Sequence, residues 1–144
     1  MNLKIYEIND ITGEKNALSE YLYGGADSCL LVYDITNLKS FDECKNYYNK
    51  KIKEICRKDI KVVLLGNKTD LEDKRQIIYE ECFDFAYENN YIFMEISYLE
   101  NEKVSDVFET LIGITDGGVK KNNKGNYILN AKKHNKRLNK YLSY

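Results

Sequence analysis

Apolar and polar residues along the chain predict four short β-strands. Residues 3–8 alternate between apolar and polar side chains, as in a strand with one buried face. The other three segments are mostly apolar runs, which are typical of parallel strands covered on both faces. They are Cys29–Tyr33, Val62–Leu65 and Ile92–Ile96. We therefore expect a mostly parallel sheet of about four strands.

Segments with helical periodicity separate these strands. Residues 10–25 contain a polar turn and a short helix that ends at Gly24-Gly25. Ser40–Glu43 has the sequence of a capping box, with Ser40 as the N-cap. Three later helical faces consist of Phe41, Cys44, Tyr48, Ile52 and Ile55, then Cys82, Phe85 and Ala86, and finally Val104, Val107, Phe108 and Leu111. The alternation of strands and helices predicts an α/β domain over residues 1–114, followed by a tail over residues 115–144.

Composition narrows the class of protein. No apolar run approaches the length of a membrane span, and the first ten residues resemble a strand and turn more than a signal peptide. The four cysteines form no CxxC pair, which favours reduced, packed thiols and a cytoplasmic location.

The formal net charge of −1 hides an asymmetry. Residues 117–144 contain seven lysines, one arginine and no acid, whereas the rest of the chain is acidic. Such a tail is either a solvated terminus or an arm that binds an anionic membrane or an acidic partner. We expect no nucleic-acid partner.

Polar residues follow the predicted strands at their carboxyl ends. They are Asp10, Asp34, Asn67, Asp70 and Ser97. Ligands of open parallel sheets bind at that edge, so these side chains mark a candidate site.

The segment Asn67-Lys68-Thr69-Asp70 has the chemistry of a guanine-specificity loop. The carboxylate of Asp70 can accept both N1–H and the exocyclic N2–H of guanine, a donor pair that adenine lacks. The Asn67 amide can brace the loop, and the Lys68 stem can lie over the purine and ribose. The commoner alternative for such a string is a polar turn after a strand.

Asp10-Ile11-Thr12-Gly13 fits a different part of a nucleotide site. Asp10 could hold Mg²⁺ through water, and the backbone N–H of Gly13 could approach a terminal phosphate. The alternative is again a simple turn. The single histidine, His134, has no partner for catalysis or metal binding.

Residues 3–114 resemble the Rab branch of the Ras-like small GTPases. The matching segments are Gly25-Ala26-Asp27, Leu31–Thr36, Ser40-Phe41, Leu64–Leu71, Lys74-Arg75-Gln76, Phe85-Ala86 and Phe93–Ser97. The resemblance implies a three-layer P-loop GTPase fold, GTP or GDP with Mg²⁺ as cofactors, effector and regulator proteins as partners, and vesicle traffic at endomembranes as the function.

The sequence departs from the family pattern in several places. The family's phosphate loop, first switch and second strand have no counterpart in these 144 residues, which predicts a truncated domain. Glu14 stands at the position of the catalytic, water-orienting Gln. In the loop around Ser97 the family's Lys is lost, although the backbone N–H of Tyr98 could still contact guanine O6. No cysteine ends the chain, so we expect no prenyl anchor.

These departures leave three functional alternatives. The first is a Rab-like GTPase that is active, or was once active, in vesicle traffic. The second is a pseudo-GTPase that binds proteins without nucleotide turnover, and the third is a fragment. The missing phosphate cradle and Glu14 favour weak nucleotide binding and no hydrolysis.

The missing strand also affects the sheet. In the family's strand order the segment Leu3–Ile8 and the segment Cys29–Tyr33 lie on either side of the absent first strand. Unpaired buried backbone groups are costly, so we expect Leu3–Ile8 to pair directly, in parallel, with Cys29–Tyr33.

Overall fold

The computed structural model describes Ile5 and residues 23–99, 101–115, 119–121 and 127–129. Within these ranges the elements are β1 (Ser28–Asp34), α1 (Leu38–Glu43), a π-helical segment (Cys44–Tyr48), α2 (Asn49–Ile55), β2 (Lys61–Asn67), a 3₁₀ helix (Thr69–Lys74), α3 (Tyr79–Glu88), β3 (Ile92–Glu95), α4 (Asn101–Thr115), β4 (Val119–Lys121) and β5 (Tyr127–Leu129).

The main sheet of the described residues has three parallel strands in the order β1-β2-β3. All three predicted apolar strands are confirmed, and the α/β class with them. Asp34 at the end of β1 lies opposite Asn67 at the end of β2, so the carboxyl ends of these strands form one edge. The predicted strand Leu3–Ile8 falls outside the described residues except for the exposed Ile5, and its pairing stays a prediction.

Helices cover both faces of this sheet. Leu31 and Tyr33 of β1 and Leu64 of β2 face the helices before and after β2, where they pack with Phe41 and Cys82. On the opposite face the strands pack against α4: Val63 with Ile114, and Leu65 with Val107. This alternation of side chains is what β-strands with two buried faces require.

The helix after β1 begins earlier than the capping box predicts. Its N-cap is Asn37, whose side chain accepts from the N–H of Ser40 at 3.4 Å. Ser40 Oγ instead donates to the Asn37 carbonyl at 2.7 Å and accepts from the Asp34 N–H at 3.0 Å. The capping-box interpretation is therefore wrong: Ser40 lies inside the first turn and ties the helix to the end of β1.

A π-helical segment separates α1 from α2. It leaves Phe41, Cys44 and Ile52 of the predicted face buried, but it also buries Asn49, which the periodicity did not predict. Asn49 Oδ1 accepts from the hydroxyl of Tyr91 at 2.6 Å, and its amide donates to Asn89 at 3.2 Å. These hydrogen bonds satisfy a polar side chain that would otherwise be costly to bury.

Three further observations complete the fold. The four cysteines are free, and burial raises the pKa of Cys29 and Cys44 to about 12. The short antiparallel pair β4–β5 lies within residues 115–144, the predicted tail. None of the helices in the described part of the chain is long and apolar enough to cross a membrane.

Candidate functional site

The candidate site lies where β1 and β2 end and where the chain leaves β3. Two backbone hydrogen bonds join the loops after β2 and β3. The N–H of Ile96 donates to the Gly66 carbonyl at 2.8 Å, and the N–H of Thr69 donates to the Ile96 carbonyl at 3.2 Å. The loop beginning at Asn67 and the loop containing Ser97 are thereby held side by side.

Lys68 gives the loop after β2 its sharp turn. Its backbone has φ 71° and ψ 38°, in the left-handed region. A non-glycine residue there carries a local cost, which suggests that the surrounding contacts impose the conformation. The side chain of Asn67 supplies one such contact, because its Oδ1 accepts from the Lys68 N–H at 2.8 Å. Asn67 thus contacts the loop that its amide is predicted to brace.

The side chain of Lys68 crosses to the end of β1. Its Nζ lies 2.6 Å from Oδ2 of Asp34, while Oδ1 of Asp34 accepts from both the N–H and the hydroxyl of Thr36. Burial raises the pKa of Asp34, but the hydrogen bonds from Lys68 and Thr36 outweigh it, so this pKa lies below its usual 3.8. The same hydrogen bond raises the pKa of Lys68. Both groups are therefore charged at neutral pH.

Asp70 is oriented by the loop after β3. Ser97, which is fully buried, donates from Oγ to Oδ1 of Asp70 at 2.5 Å and accepts from the N–H of Leu99 at 3.2 Å. Asp70 itself is exposed. One edge of its carboxylate is thus fixed by the protein, and the rest faces solvent and can accept from a ligand.

Tyr98 completes the cluster. This residue is 59% exposed, and it directly follows Ser97, whose hydroxyl contacts Asp70. In the described part of the chain the side-chain NH₂ of Asn67 donates to no other residue. The site therefore offers an exposed carboxylate and an amide donor beside an exposed aromatic ring.

A buried ion pair next to the site stabilises the segments that carry it. Arg75 contacts Glu95 through two hydrogen bonds of 2.9 and 2.7 Å, and it contacts Glu72 through two of 2.7 Å. The side chains of Arg75 and Glu95 are only 14% and 10% exposed. Tyr33 donates its hydroxyl to Glu95 at 3.2 Å. This network ties the segment after the 3₁₀ helix to β3 and β1.

Gly66, the residue just before the loop, leaves room for this network. A Cβ at this position would lie 2.6 Å from the hydroxyl oxygen of Tyr33 and 3.0 Å from Cγ of Glu95. No real Cβ tolerates the shorter distance. Glycine at the end of β2 therefore lets Tyr33 and Glu95 meet beneath the candidate site.

The structure brings together five of the residues predicted from sequence, namely Asn67, Lys68, Asp70, Ser97 and Tyr98. The predicted phosphate and metal residues Asp10 and Gly13, and the degenerate catalytic position Glu14, lie outside the described residues. Within the described ranges no group of three His, Cys, Asp or Glu side chains could hold a metal ion.

Sequence reasoning missed two contributors. It placed Asp34 at the correct edge of the sheet but did not pair it with Lys68, and it gave Thr36 no role. The only available signal was the parallel register, because the residues that end adjacent strands lie opposite each other. Chemically, the assembled groups can bind a planar base that presents two adjacent N–H donors.

Comparison with known proteins agrees with this geometry. The sequence model of the Ras family matches residues 4–115. Relatives include mouse Ras-related protein Rab-17, which is 36% identical over 107 residues, covering 73% of this chain and 50% of the relative. Fission yeast GTP-binding protein ypt3 is 37% identical over 108 residues, covering 74% of this chain and 50% of the relative. Rab-4 of Dictyostelium discoideum is 34% identical over 109 residues, covering 74% of this chain and 52% of the relative.

The chain spans about half the length of the curated relatives that it matches. The family match nevertheless covers most of the chain, from the first predicted strand to the end of α4. With the parallel sheet and the loops at its carboxyl edge, it shows that this protein belongs to the Ras family of small GTPases and is similar to its Rab members.

Proposed function

We propose that the protein is a Rab-like regulator of intracellular vesicle traffic. Its 144-residue chain binds the guanine base but binds the phosphates only weakly. The observation that carries the proposal is the hydrogen bond from Ser97 Oγ to Asp70 Oδ1, at 2.5 Å. It fixes an exposed carboxylate that can accept both guanine donors. Asn67 and Tyr98 border the same loop.

The expectation that the phosphates bind weakly rests on charge. The 144 residues contain no GxxxxGK[ST] segment, and Glu14 would repel a phosphate where the family places a neutral amide. Lys68 lies in the base-site loop, but its ammonium is already paired with Asp34 at 2.6 Å. Base contacts alone correspond to about millimolar affinity, or about −4 kcal/mol.

A titration of the purified chain tests the base site. GDP and ADP, each with Mg²⁺, are added to ¹⁵N-labelled protein, and amide shifts of residues 67–71 and 97–99 are followed. We expect these amides to shift with GDP at a dissociation constant of about 1 mM and to shift far less with ADP. Equal shifts with both nucleotides would refute guanine recognition, and submicromolar binding of GDP would refute the weak phosphate contacts.

The second candidate is a pseudo-GTPase that acts as a protein-interaction module. Glu14 favours it, because a carboxylate cannot donate the hydrogen bond that orients an attacking water. Single-turnover phosphate release from GTP tests whether the chain has any residual turnover. We expect no release above the uncatalysed background, whereas release at an ordinary small-GTPase rate would restore the enzymatic alternative.

We also propose a cytoplasmic protein that associates peripherally with endomembranes and with effector or regulator proteins. The basic residues of 117–144 would be drawn to an acidic surface, and each is worth about 1 kcal/mol near anionic lipid. Sedimentation with anionic liposomes, compared between the full chain and a variant with the tail lysines changed to glutamine, tests the membrane part. Equal binding of both would reject a role for these charges.

A further inference from the structure

Helix α3 carries three aromatic side chains on its solvent side. Tyr79, Phe83 and Tyr87 are 50%, 42% and 71% exposed. Their rings stack along the helix, with centroids 6.5 Å apart for the first pair and 6.4 Å for the second, and with interplanar angles of 13° and 16°. We call these three residues the aromatic ridge.

The ridge continues onto the sheet but is not part of the core. Phe93 of β3 lies edge-on to Tyr79 at 5.0 Å and to Phe83 at 6.3 Å. Helix α3 contributes to the core through the fully buried Cys82 and Ala86 and the partly buried Phe85. A contiguous exposed apolar surface of this kind usually marks an interaction site.

A row of carboxylates runs beside the ridge. Glu80, Asp84 and Glu88 each follow a ridge residue by one position, and all three are exposed. On α3 the ion pair in the described residues is made by Glu81 with Lys45, at 2.8 Å. The carboxylates of the row take part in no ion pair within the described ranges. The surface therefore combines stacked rings with uncompensated negative charge.

Charge decides which occupant fits. A second copy of this surface would bring two rows of carboxylates together, and an anionic membrane would be repelled. A segment rich in lysine and arginine with interspersed apolar residues fits both the rings and the carboxylates. Cations bind aromatic faces as well as carboxylates. The chain contains such a segment in residues 130–144, with Lys132, Lys133, Lys136, Arg137 and Lys140 beside Leu138 and Leu142.

We propose that residues 130–144 of this chain dock on the aromatic ridge and its carboxylate row. The two surfaces are covalently linked, so the effective concentration is in the millimolar range and weak contacts suffice. Fifteen residues in extended form reach up to about 50 Å, which is ample for a domain of this size. Docking would withhold the basic residues from any other acidic surface. The proposal does not depend on nucleotide binding.

Zero-length carbodiimide cross-linking of the full chain tests the docking directly. The reagent joins a lysine amine to a carboxylate only when the two are in contact. We expect cross-links from Lys132, Lys133, Lys136 or Lys140 to Glu80, Asp84 or Glu88. The Lys39–Glu43 pair on α1, at 3.7 Å, serves as the internal control. Raising the salt from about 50 mM to about 500 mM should reduce the tail cross-links several-fold.

A ridge variant separates specific docking from random encounter. Tyr87→Ser removes the most exposed ring and leaves every carboxylate and lysine in place. We expect the yield of tail cross-links to fall by about threefold, as for the loss of one cation–π contact. Tyr47→Ser, at an exposed tyrosine of the π-helical segment, is the matched control and should leave the yield unchanged.

Three results would overturn the proposal. The first is the absence of tail cross-links while Lys39–Glu43 forms. The second is a yield that Tyr87→Ser does not change. The third is cross-links between isotopically different chains in a mixture of ¹⁴N and ¹⁵N protein, which would indicate an intermolecular contact instead.

Discussion

Ser97 and Asp70 lie 27 residues apart in sequence and meet through a hydrogen bond of 2.5 Å between Oγ and Oδ1. The serine is fully buried and the aspartate is exposed. The loop after β3 therefore sets the orientation of a carboxylate that belongs to the loop after β2. A base site built in this way is sensitive to both residues, although only Asp70 would touch the ligand.

Asp70→Ala should abolish the guanine-dependent amide shifts, because the acceptor for both guanine donors is removed. Ser97→Ala should weaken GDP binding by about tenfold, since the carboxylate would lose one hydrogen bond that orients it. The measurement is the GDP titration described above. Asp73→Ala, an exposed aspartate in the same 3₁₀ helix, is the control and should bind like the unmodified chain. Unchanged binding by Asp70→Ala would place the ligand elsewhere.

The contact of Asp34 with Lys68 and Thr36 should depend on pH in one direction. The pKa of Asp34 is lowered in the folded protein, so its stabilising contribution is complete at neutral pH. That contribution is lost as the pH falls below the usual value of 3.8 and through the folded pKa. We expect the NMR shift of the Thr36 amide to titrate in this pH range, and we expect Asp34→Asn to remove the transition. Asp42→Asn is the control and should leave the transition unchanged. A transition that survives Asp34→Asn would belong to another group.

The ion pair between Arg75 and Glu95 should matter for stability because both side chains are largely buried, at 14% and 10% exposed. Arg75→Met should lower the free energy of unfolding by about 3 kcal/mol, since a buried carboxylate loses its partner. The double variant Arg75→Met/Glu95→Leu should recover part of that loss. Urea denaturation measures both. Arg57→Met, at an exposed pair with Asp59, should have little effect.

Gly66→Ala should destabilise the protein by about 1–3 kcal/mol, because the new Cβ would lie 2.6 Å from the Tyr33 hydroxyl oxygen and 2.8 Å from its Cζ. Thermal unfolding followed by circular dichroism gives the change. Gly24→Ala provides the control, since a Cβ there meets no atom within 4 Å. Equal effects of the two substitutions would show that the contact with Tyr33 does not determine the cost.

The strands were predictable from sequence and the ends of the helices were not. Apolar runs identified β1, β2 and β3 within two residues, because this composition is typical of buried strands in a covered sheet. The start of α1 was misplaced because Asn37 and Ser40 both carry side chains that can cap a helix. Only the position of β1 decides between them, since Ser40 is held by the backbone of Asp34.

The base site was predictable to the extent that local sequence determines it. Asn67, Asp70 and Ser97 follow apolar strands, and parallel strands bring such residues to one edge. The pairing of Lys68 with Asp34 and that of Arg75 with Glu95 depend on contacts between strands, which no local pattern reports. Glu95 did carry a signal, because a carboxylate inside an apolar strand requires a buried partner.

The π-helical segment Cys44–Tyr48 sets how the two halves of this helix face the rest of the domain. Five residues there occupy a wider turn than an α-helix would give them, so the segment accommodates one surplus residue. A regular α-helix over the same residues would rotate one half against the other by about 100°. Either Phe41 would then leave the core or Asn49 would leave Tyr91. The wider turn therefore lets one continuous helix supply both an apolar core residue and a buried polar contact.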